Sequence, residues 1–256
     1  MSNYGRPSTV TDPAKLRVDV ALTQRGLVRS RSHARQLLAR GLVSVDGVVV
    51  TRAAEQVTGS SVISVHDEVA AHEVSRAGGK LRGALEEWGL AVPERCVDVG
   101  SSTGGFTQVL LDRGASTVFA VDVGTDQLAP SLRADPRVHV REQTNARFLT
   151  VDQLDGEPVD LAVADVSFIS LTLLVEPIFG VLSASGEALL MVKPQFEVGK
   201  EHIGHGVVSD AELRERAVRR VRDAALAQGW TCVGTVPSSV PGPAGNLEYF
   251  CRFVRR

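Results

Sequence analysis

The chain has 256 residues and a formal net charge of -2, with 43% hydrophobic and 23% charged residues. That length suits one large domain or two modest ones, and the composition is that of a soluble globular protein. No apolar run approaches the roughly 18 residues of a membrane span. The polar stretch 1–11 lacks the hydrophobic core of a signal peptide, so a cytoplasmic protein is expected. Cys96, Cys232 and Cys251 lie far apart in sequence and in apolar, strand-like contexts. They read as buried free thiols in a reducing compartment, with neither a disulfide framework nor a metal site. The near-neutral total conceals an asymmetry. Between positions 15 and 52 there are eight basic residues against two acids, Asp19 and Asp46, and the remainder is acidic. Uneven charge of this kind suggests a polyanion-binding module joined to something else.

In chain order, residues 1–14 read as a disordered tail. Residues 17–25 read as a helix with Val18, Ala21 and Leu22 on one face, ended by Gly26. Ser30 or Ser32 caps a second helix to Ala39, with Ala34, Leu37 and Leu38 inward and Arg31, Arg35 and Arg40 outward. Gly41 stops it. Val43-Ser44-Val45 and Val48-Val49-Val50 flank Asp46-Gly47, a hairpin signal, and residues 62–65 add a short strand. From Leu22 to Gly47 the chain reads L-x-x-R-G-L-x-x-S-R-x-x-A-R-Q-L-L-x-x-G-x-V-x-V-D-G. On that pattern residues 15–66 resemble the small RNA-binding domain named after ribosomal protein S-four. The resemblance implies an RNA partner whose phosphates lie on Arg17, Arg25, Arg29, Arg31, Arg35 and Arg40. The competing reading is a solvated basic helix face.

Residues 67–75 form a polar linker, and a larger domain spans 76–256. Arg76-Ala77-Gly78-Gly79-Lys80 precedes a helix over 81–88, with Leu81, Leu85 and Trp88 on one side. Cys96-Val97-Asp98-Val99 reads as a buried strand running into the glycine-rich turn Gly100-Ser101-Ser102-Thr103-Gly104-Gly105-Phe106 and a helix to about Arg113. Val118-Phe119-Ala120-Val121 is a second strand, ending at Asp122. Val138-His139-Val140 is a third, followed by Thr144-Asn145-Ala146, and residues 159–164 are a fourth, ending at Asp165. A helix over 171–182 leads to a fifth strand, 188–192, ending at Lys193-Pro194. Asp210 caps a long helix to about Gln228. Strands 231–236 and 249–254, joined through Pro241-Gly242-Pro243, close the sheet. Strands alternating with helices imply parallel pairing and right-handed crossovers. The expected class is α/β: a doubly wound, Rossmann-like sheet of seven strands, the last antiparallel, behind a small α+β domain.

Glycines let the turn after Val99 reach positive φ and let a ligand approach the backbone, while the following helix offers free N–H groups and the positive end of its dipole. Asp122 lies 22 residues past Gly100, the right distance to take the ribose hydroxyls of an adenosine-containing cofactor. The pattern is D-x-G-x-x-x-G-G, not G-x-G-x-x-G, and no hydride-transfer pair of Cys and His is visible. Asp98 before the turn fits a cofactor carrying an ammonium and a sulfonium, which points to S-adenosylmethionine. The expected cofactor-binding residues are Asp98, Gly100, Ser101, Ser102, Thr103, Gly104, Gly105, Phe106, Asp122, Val123, Asn145 and Asp165. Polar residues at strand carboxyl ends mark the site of such a sheet. Lysine is seldom buried without a partner, so Lys193 is expected to pair with Asp165, with Glu248 and Lys80 able to reach the same rim. The bland alternative is a structural salt bridge.

The segments Val97-Asp98-Val99-Gly100-Ser101-Ser102-Thr103-Gly104-Gly105-Phe106-Thr107, Leu110-Leu111-Asp112-Arg113-Gly114-Ala115, Ala164-Asp165-Val166-Ser167-Phe168-Ile169-Ser170, Val192-Lys193-Pro194-Gln195-Phe196-Glu197-Val198-Gly199-Lys200 and Gly245-Asn246-Leu247-Glu248-Tyr249-Phe250 resemble the TlyA family. That family in turn resembles the FtsJ-type ribose methyltransferases. With the N-terminal module the likeness runs from Leu16 to Phe253. It implies methylation of cytidine 2′-hydroxyls of ribosomal RNA, with a catalytic group at Lys80, Asp165, Lys193 and Glu248. A ribose hydroxyl is a poor nucleophile, and a lysine whose pKa is lowered by burial and by a second nearby ammonium can act as its general base. Lys193 is expected in that role. Asp165 would orient it, while Lys80 and Glu248 position the ribose and tune the charge.

Three departures from the family stand out. Arg76-Ala77-Gly78-Gly79-Lys80 replaces Arg-Gly-Ala-His-Lys, which bears on how Lys80 is held. Ala71-His72-Glu73-Val74 lacks the Arg/Trp-containing linker of some relatives. The helical C-terminal extension of relatives that modify both subunits does not follow Arg256, so large-subunit RNA is the favoured substrate. The expected partner is ribosomal RNA or a ribosomal subunit, with no membrane and no metal, and a monomer is favoured. Rival readings are a hemolysin-type membrane-active protein, a non-catalytic RNA-binding assembly factor and a small-molecule methyltransferase.

Overall fold

A computed structural model describes residues 15–28, 30–65, 74–204 and 206–256. The expected tail over 1–14, Arg29 and residues 66–73, which include most of the expected linker, lie outside the described residues. The chain divides into two units, Met1–Glu73 and Val74–Arg256.

In the first unit, β1 (Leu16–Arg17) runs straight into α1 (Val18–Gln24). It is followed by α2 (Arg31–Ala39), β2 (Val43–Val45), β3 (Val48–Val49), β4 (Gln56–Val57) and β5 (Ile63–Val65). Leu22, Leu37 and Leu38 from the inward faces of the two helices are buried together with Val43 and Val57. Burial of these side chains, each worth about 1.5–3 kcal/mol, holds so small a unit together. Ser30 is the cap of α2: its side chain accepts the His33 amide at 3.2 Å. Asp46 and Gly47 both take positive φ, 50° and 84°, as a tight hairpin between β2 and β3 requires. Asp46 also accepts the Val62 amide at 2.7 Å, tying β5 to the hairpin. The β3-β2-β5 sheet follows the expected hairpin, but a second antiparallel pair, β1 with β4, was not foreseen. Two-residue strands are too short to show a period of two.

In the second unit, α3 (Ala77–Glu87), β6 (Arg95–Val99), α4 (Gly105–Asp112), β7 (Thr117–Val121), α5 (Pro130–Arg133), β8 (Val138–Arg141), β9 (Val159–Ala164), α6 (Val175–Gly180), β10 (Leu182–Val192), α7 (Pro194–Glu197), α8 (Ala211–Ala227), β11 (Trp230–Pro237) and β12 (Tyr249–Arg255) follow in order. The sheet order is β11-β12-β10-β9-β6-β7-β8. β6 to β10 pair in parallel, and β12 is antiparallel to both of its neighbours. Alternate strand residues feed two cores. Val97, Val99, Ala162 and Leu190 face α6 and α8, while Cys96, Val163, Leu189 and Met191 face α3 and α4. The strand order reverses between β6 and β9, so the crevice at their carboxyl ends is where such a sheet binds ligands.

Two elements differ from expectation. The helix expected over 81–88 begins at Ala77, so Gly78, Gly79 and Lys80 are helical. The sequence reading places Gly78 and Gly79 ahead of the helix, yet here Gly78 lets α3 lie against α4. A Cβ at Gly78 would stand 3.0 Å from the Gly105 carbonyl oxygen and 3.3 Å from Val109 Cγ2. The helix expected over 171–182 is a short 3-10 turn (Leu171–Leu173) and then α6. Leu182 already belongs to β10, which is irregular between Leu182 and Glu187. Among the described residues no helix is long and apolar enough to cross a membrane. Cys96 and Cys251 are buried as expected, but Cys232 is partly exposed. Thr235 Oγ1 lies 3.6 Å from both Cys232 and Cys251.

Candidate active site

The site grows out of the β6–α4 turn. Gly100 takes φ 82°, and a Cβ there would stand 3.0 Å from the Asp165 carbonyl oxygen. Gly104 is the left-handed N-cap of α4, with φ 95°. Ser102, not a glycine, also adopts positive φ, 47°. Asp98, at the last inward position of β6, is fully buried. One of its oxygens accepts both the amide (2.8 Å) and the hydroxyl (2.7 Å) of Thr107. Its other oxygen, Oδ1, is buried with no hydrogen-bond partner among the described residues. Burial pushes the Asp98 carboxyl up to about 7 against the opposing effect of Thr107. A buried acid left one donor short can accept a further hydrogen bond.

Asp122, just past β7, accepts the Ser102 amide at 2.8 Å and the Gly124 amide at 2.7 Å. Each carboxylate oxygen keeps a second lone pair for a ligand hydroxyl. Val123, 74% exposed, stands beside it. Asn145 caps the following 3-10 turn by accepting the Arg147 amide at 3.1 Å. Two cavities that share Gly100, Ser102, Asp165 and Ser167 open over these strand ends. One of about 250 Å³ includes Asp98, Ser101, Thr103, Gly105, Phe106 and Lys193. The other, about 630 Å³, includes Asp122, Val123, Asn145 and Phe168. All the expected cofactor residues except Gly104 line one or both. Phe106 does so only marginally. It is 2% exposed and stacks on Phe250 with ring centroids 5.8 Å apart, so it is chiefly core.

The four ionisable residues expected at the strand tips come together. Lys193 Nζ lies 2.6 Å from Asp165 Oδ1 and donates to Ser167 Oγ at 2.9 Å. Lys80 Nζ lies 2.6 Å from Glu248 and 3.9 Å from Asp165 Oδ2. Two lysines and two acids therefore form one chain in a nearly dry setting, where each charge would be costly alone. They are not equivalent. Glu248 is 0% exposed and Lys80 4%, so this pair sits behind Asp165, whereas Lys193 and Asp165 line the cavity. Lys80 and Glu248, expected to position the ribose and tune the charge, occupy a supporting position behind Asp165. The cause is the early start of α3, which turns Lys80 inward toward β10 and β12, 3.6 Å from Met191 Sδ.

Several residues escaped the sequence reading. Glu142 accepts three successive amides, Asp126, Gln127 and Leu128, and pairs with Arg133 at 2.7 Å. Arg133, and after it those amides, hold its carboxyl down at about 2. It thus braces the loop after Asp122. Glu197, 3% exposed, accepts the Ser170 hydroxyl at 2.6 Å and the Leu171 amide at 2.7 Å. That carboxylate staples the loop after Asp165 to the turn after Lys193. Phe168 is 91% exposed at φ 65° and stands 5.3 Å from the Phe196 ring. An exposed aromatic held at positive φ is uncommon, and its place three residues after a strand-tip acid was the available signal.

In the first unit the six expected RNA-contacting arginines divide. Arg17, Arg31 and Arg35 surround Asp19. Arg25 is engaged otherwise: it donates to the carbonyl oxygens of Thr58, Gly59 and Ser61, bracing that turn. Arg40 lies at the C-terminal end of α2, and Arg29 lies outside the described residues.

Comparison with known proteins places both units in known families. Residues 73–255 match the profile of the FtsJ-like methyltransferases, and residues 16–63 that of the S4 domain. The chain is 49% identical over 238 residues to the 16S/23S rRNA (cytidine-2'-O)-methyltransferase TlyA of Mycobacterium tuberculosis, covering 92% of this chain and 88% of that one. It is 40% identical over 185 residues to the 23S rRNA (cytidine-2'-O)-methyltransferase TlyA of Campylobacter jejuni, covering 71% of each. A solved protein of Streptococcus thermophilus that carries a provisional hemolysin label superposes with a TM-score of 0.72 at 36% identity, over 94% of this chain and 88% of that one. An S4 domain ahead of an FtsJ-like sheet, with this degree of identity along almost the whole length, makes the chain a member of the TlyA family of methyltransferases.

Proposed function

We propose that this protein transfers the methyl group of S-adenosylmethionine to the 2′-hydroxyl of cytidine in ribosomal RNA, with large-subunit RNA as substrate. The observation that carries the reading is the Asp165–Lys193 pair, backed by Lys80–Glu248 and lining the same cavity as the underused Asp98. The names of the two TlyA relatives share 23S RNA, which favours the large subunit.

The residues present fit the cofactor. Asp98 Oδ1 would take its ammonium, Asp122 its ribose hydroxyls, and Val123 would lie against its adenine. When bound, the cofactor supplies an electrophilic methyl on sulfonium. Asp165 holds Lys193 by its 2.6 Å contact, and Lys193 Nζ, in its free-amine form, would take the 2′-hydroxyl proton. Lys80 and Glu248 fix the charge and position of Asp165 from behind. Phe168, exposed and beside Phe196, offers a face on which an unstacked base can lie. Holding hydroxyl and methyl in line supplies much of the acceleration.

The test is to incubate each purified ribosomal subunit with methyl-labelled cofactor and map the product nucleotide by mass spectrometry. Label on a cytidine ribose of large-subunit RNA supports the proposal. Label on a base, or on small-subunit RNA alone, overturns it.

A further inference from the structure

Asp19 is the second residue of α1 and is 0% exposed, yet it lies among the arginines of a basic face. Its Oδ1 accepts Arg17 Nε at 3.0 Å. Its Oδ2 accepts Arg17 Nη2 at 3.4 Å, Arg31 Nη2 at 3.0 Å and Nε at 3.3 Å, and Arg35 Nε at 3.4 Å. One carboxylate thus joins the end of β1, the start of α1 and two successive turns of α2. A helix N-terminus favours an acid on its own, and a buried acid is satisfied by one guanidinium. Neither need accounts for three. The three arginine side chains stay half exposed, at 42%, 50% and 57%. Each guanidinium has five N–H donors, and Asp19 occupies five of the fifteen: Nε and Nη2 of Arg17 and of Arg31, and Nε of Arg35. Burial pushes the Asp19 carboxyl up, but Arg17 and Arg31 bring it down to about 2, so the acid stays charged at neutral pH.

We propose that Asp19 is a positioning residue for RNA: it locks Arg17, Arg31 and Arg35 into one preformed fork for a backbone phosphate. The inference rests on the reading of this unit as the RNA-binding module. Its sign runs against simple charge counting. Removing an acid from a polyanion-binding face makes that face more positive and should tighten binding, by roughly twofold for a unit charge near 8 Å in water. Preorganisation predicts the opposite. Three long side chains that must be ordered anew at each encounter each lower affinity by a factor of roughly two to five, so roughly 10- to 100-fold is expected together. Arginine's flat fork, unlike a lysine ammonium, keeps free donors on one edge while the other is held.

The test uses the full chain and transcribed large-subunit ribosomal RNA. Asp19→Asn is expected to weaken RNA binding by roughly 10- to 100-fold and to make the log–log salt slope shallower by about 0.7 for each phosphate no longer neutralised. In turnover the loss is expected in KM for RNA rather than in kcat, with cofactor affinity unchanged. Arg31→Lys keeps the charge count and lies on the surface. It is expected to lose affinity in the same direction, and it decides the matter if Asp19→Asn loses hydrogen-exchange protection over 15–65. Wild-type or tighter RNA binding by a folded Asp19→Asn protein, or by Arg31→Lys where Asp19→Asn unfolds, overturns the inference. Arg31→Ala separates the two claims. If it too binds RNA as wild type does, the RNA-binding reading of this face fails. If it binds weakly while Asp19→Asn does not, only the role of Asp19 fails.

Discussion

Replacing Glu248 by Gln removes one charge while nearly preserving shape. The Lys80 ammonium, 4% exposed, then loses a partner at 2.6 Å and keeps only Asp165 at 3.9 Å. Breaking a buried pair from one side costs about 3–5 kcal/mol, because a desolvated charge is left behind. Asp165 offsets part of this, so about 3 kcal/mol is expected. For a chain of this size that is a fall in Tm of roughly 6–12 °C. Lys80→Met mirrors the change and is expected to cost about as much, since Glu248 would keep only the 3.3 Å hydrogen bond from Gln195. The double variant removes both charges and should return to within about 1 kcal/mol of wild type, which gives a coupling energy well above the usual error of such cycles. Urea unfolding followed by the fluorescence of Trp88 and Trp230 measures all four states. Single-turnover methyl transfer by the double variant then separates a structural pair from a functional one. The placement of the pair behind Asp165 predicts a stable protein whose transfer rate is lower by about tenfold or more. Single variants costing less than about 1 kcal/mol would show that the pair is solvated, and a double variant with wild-type rate would remove it from catalysis.

Other outcomes follow from the same geometry. Lys193→Met should lower kcat by roughly 10²–10⁴, the usual share of positioned proton transfer, with cofactor affinity changed by less than about threefold in calorimetry. Burial raises Asp98 to about 7, so the unliganded carboxyl is protonated below that pH. Its contribution to stability is present below the ordinary carboxylate value near 4 and is lost as pH rises through about 7. A cationic ligand group needs the charged form. Cofactor binding should therefore tighten as pH rises to about 7 and level off, releasing up to about one proton at pH 6, measurable by calorimetry in buffers of different ionisation enthalpy. A pH-independent affinity would contradict that role, and Asp98→Asn should bind weakly with no such dependence. Glu197→Leu removes the acceptor of the Leu171 amide and is expected to slow transfer by about tenfold at unchanged cofactor affinity, the effect of one buried hydrogen bond. An unchanged rate would mean that the staple does not hold Lys193.

Local chemistry was enough to read much of this protein from its sequence. The β6–turn–α4 unit is written in adjacent residues: an apolar run, glycines where positive φ is needed, and an acid before the turn. The Asp46-Gly47 hairpin and the amphipathic face of α2 are equally local, as is the strand-tip rule that selected Asp98, Asp122, Asp165 and Lys193. What tertiary structure decided was contact between distant segments. Gly78 and Gly79 read as lying ahead of the helix, but the close approach of α3 to Gly105 makes Gly78 a packing residue and turns Lys80 into the core. Glu248 and Lys80 are 168 residues apart, and no spacing rule says that they meet at 2.6 Å. Asp19 counted in the sequence as a minor debit against eight basic residues, and only packing of α1 on α2 shows three of those arginines gathered around it. Periodicity and turn chemistry act over a few residues, whereas the partner of a buried charge is chosen by the whole fold.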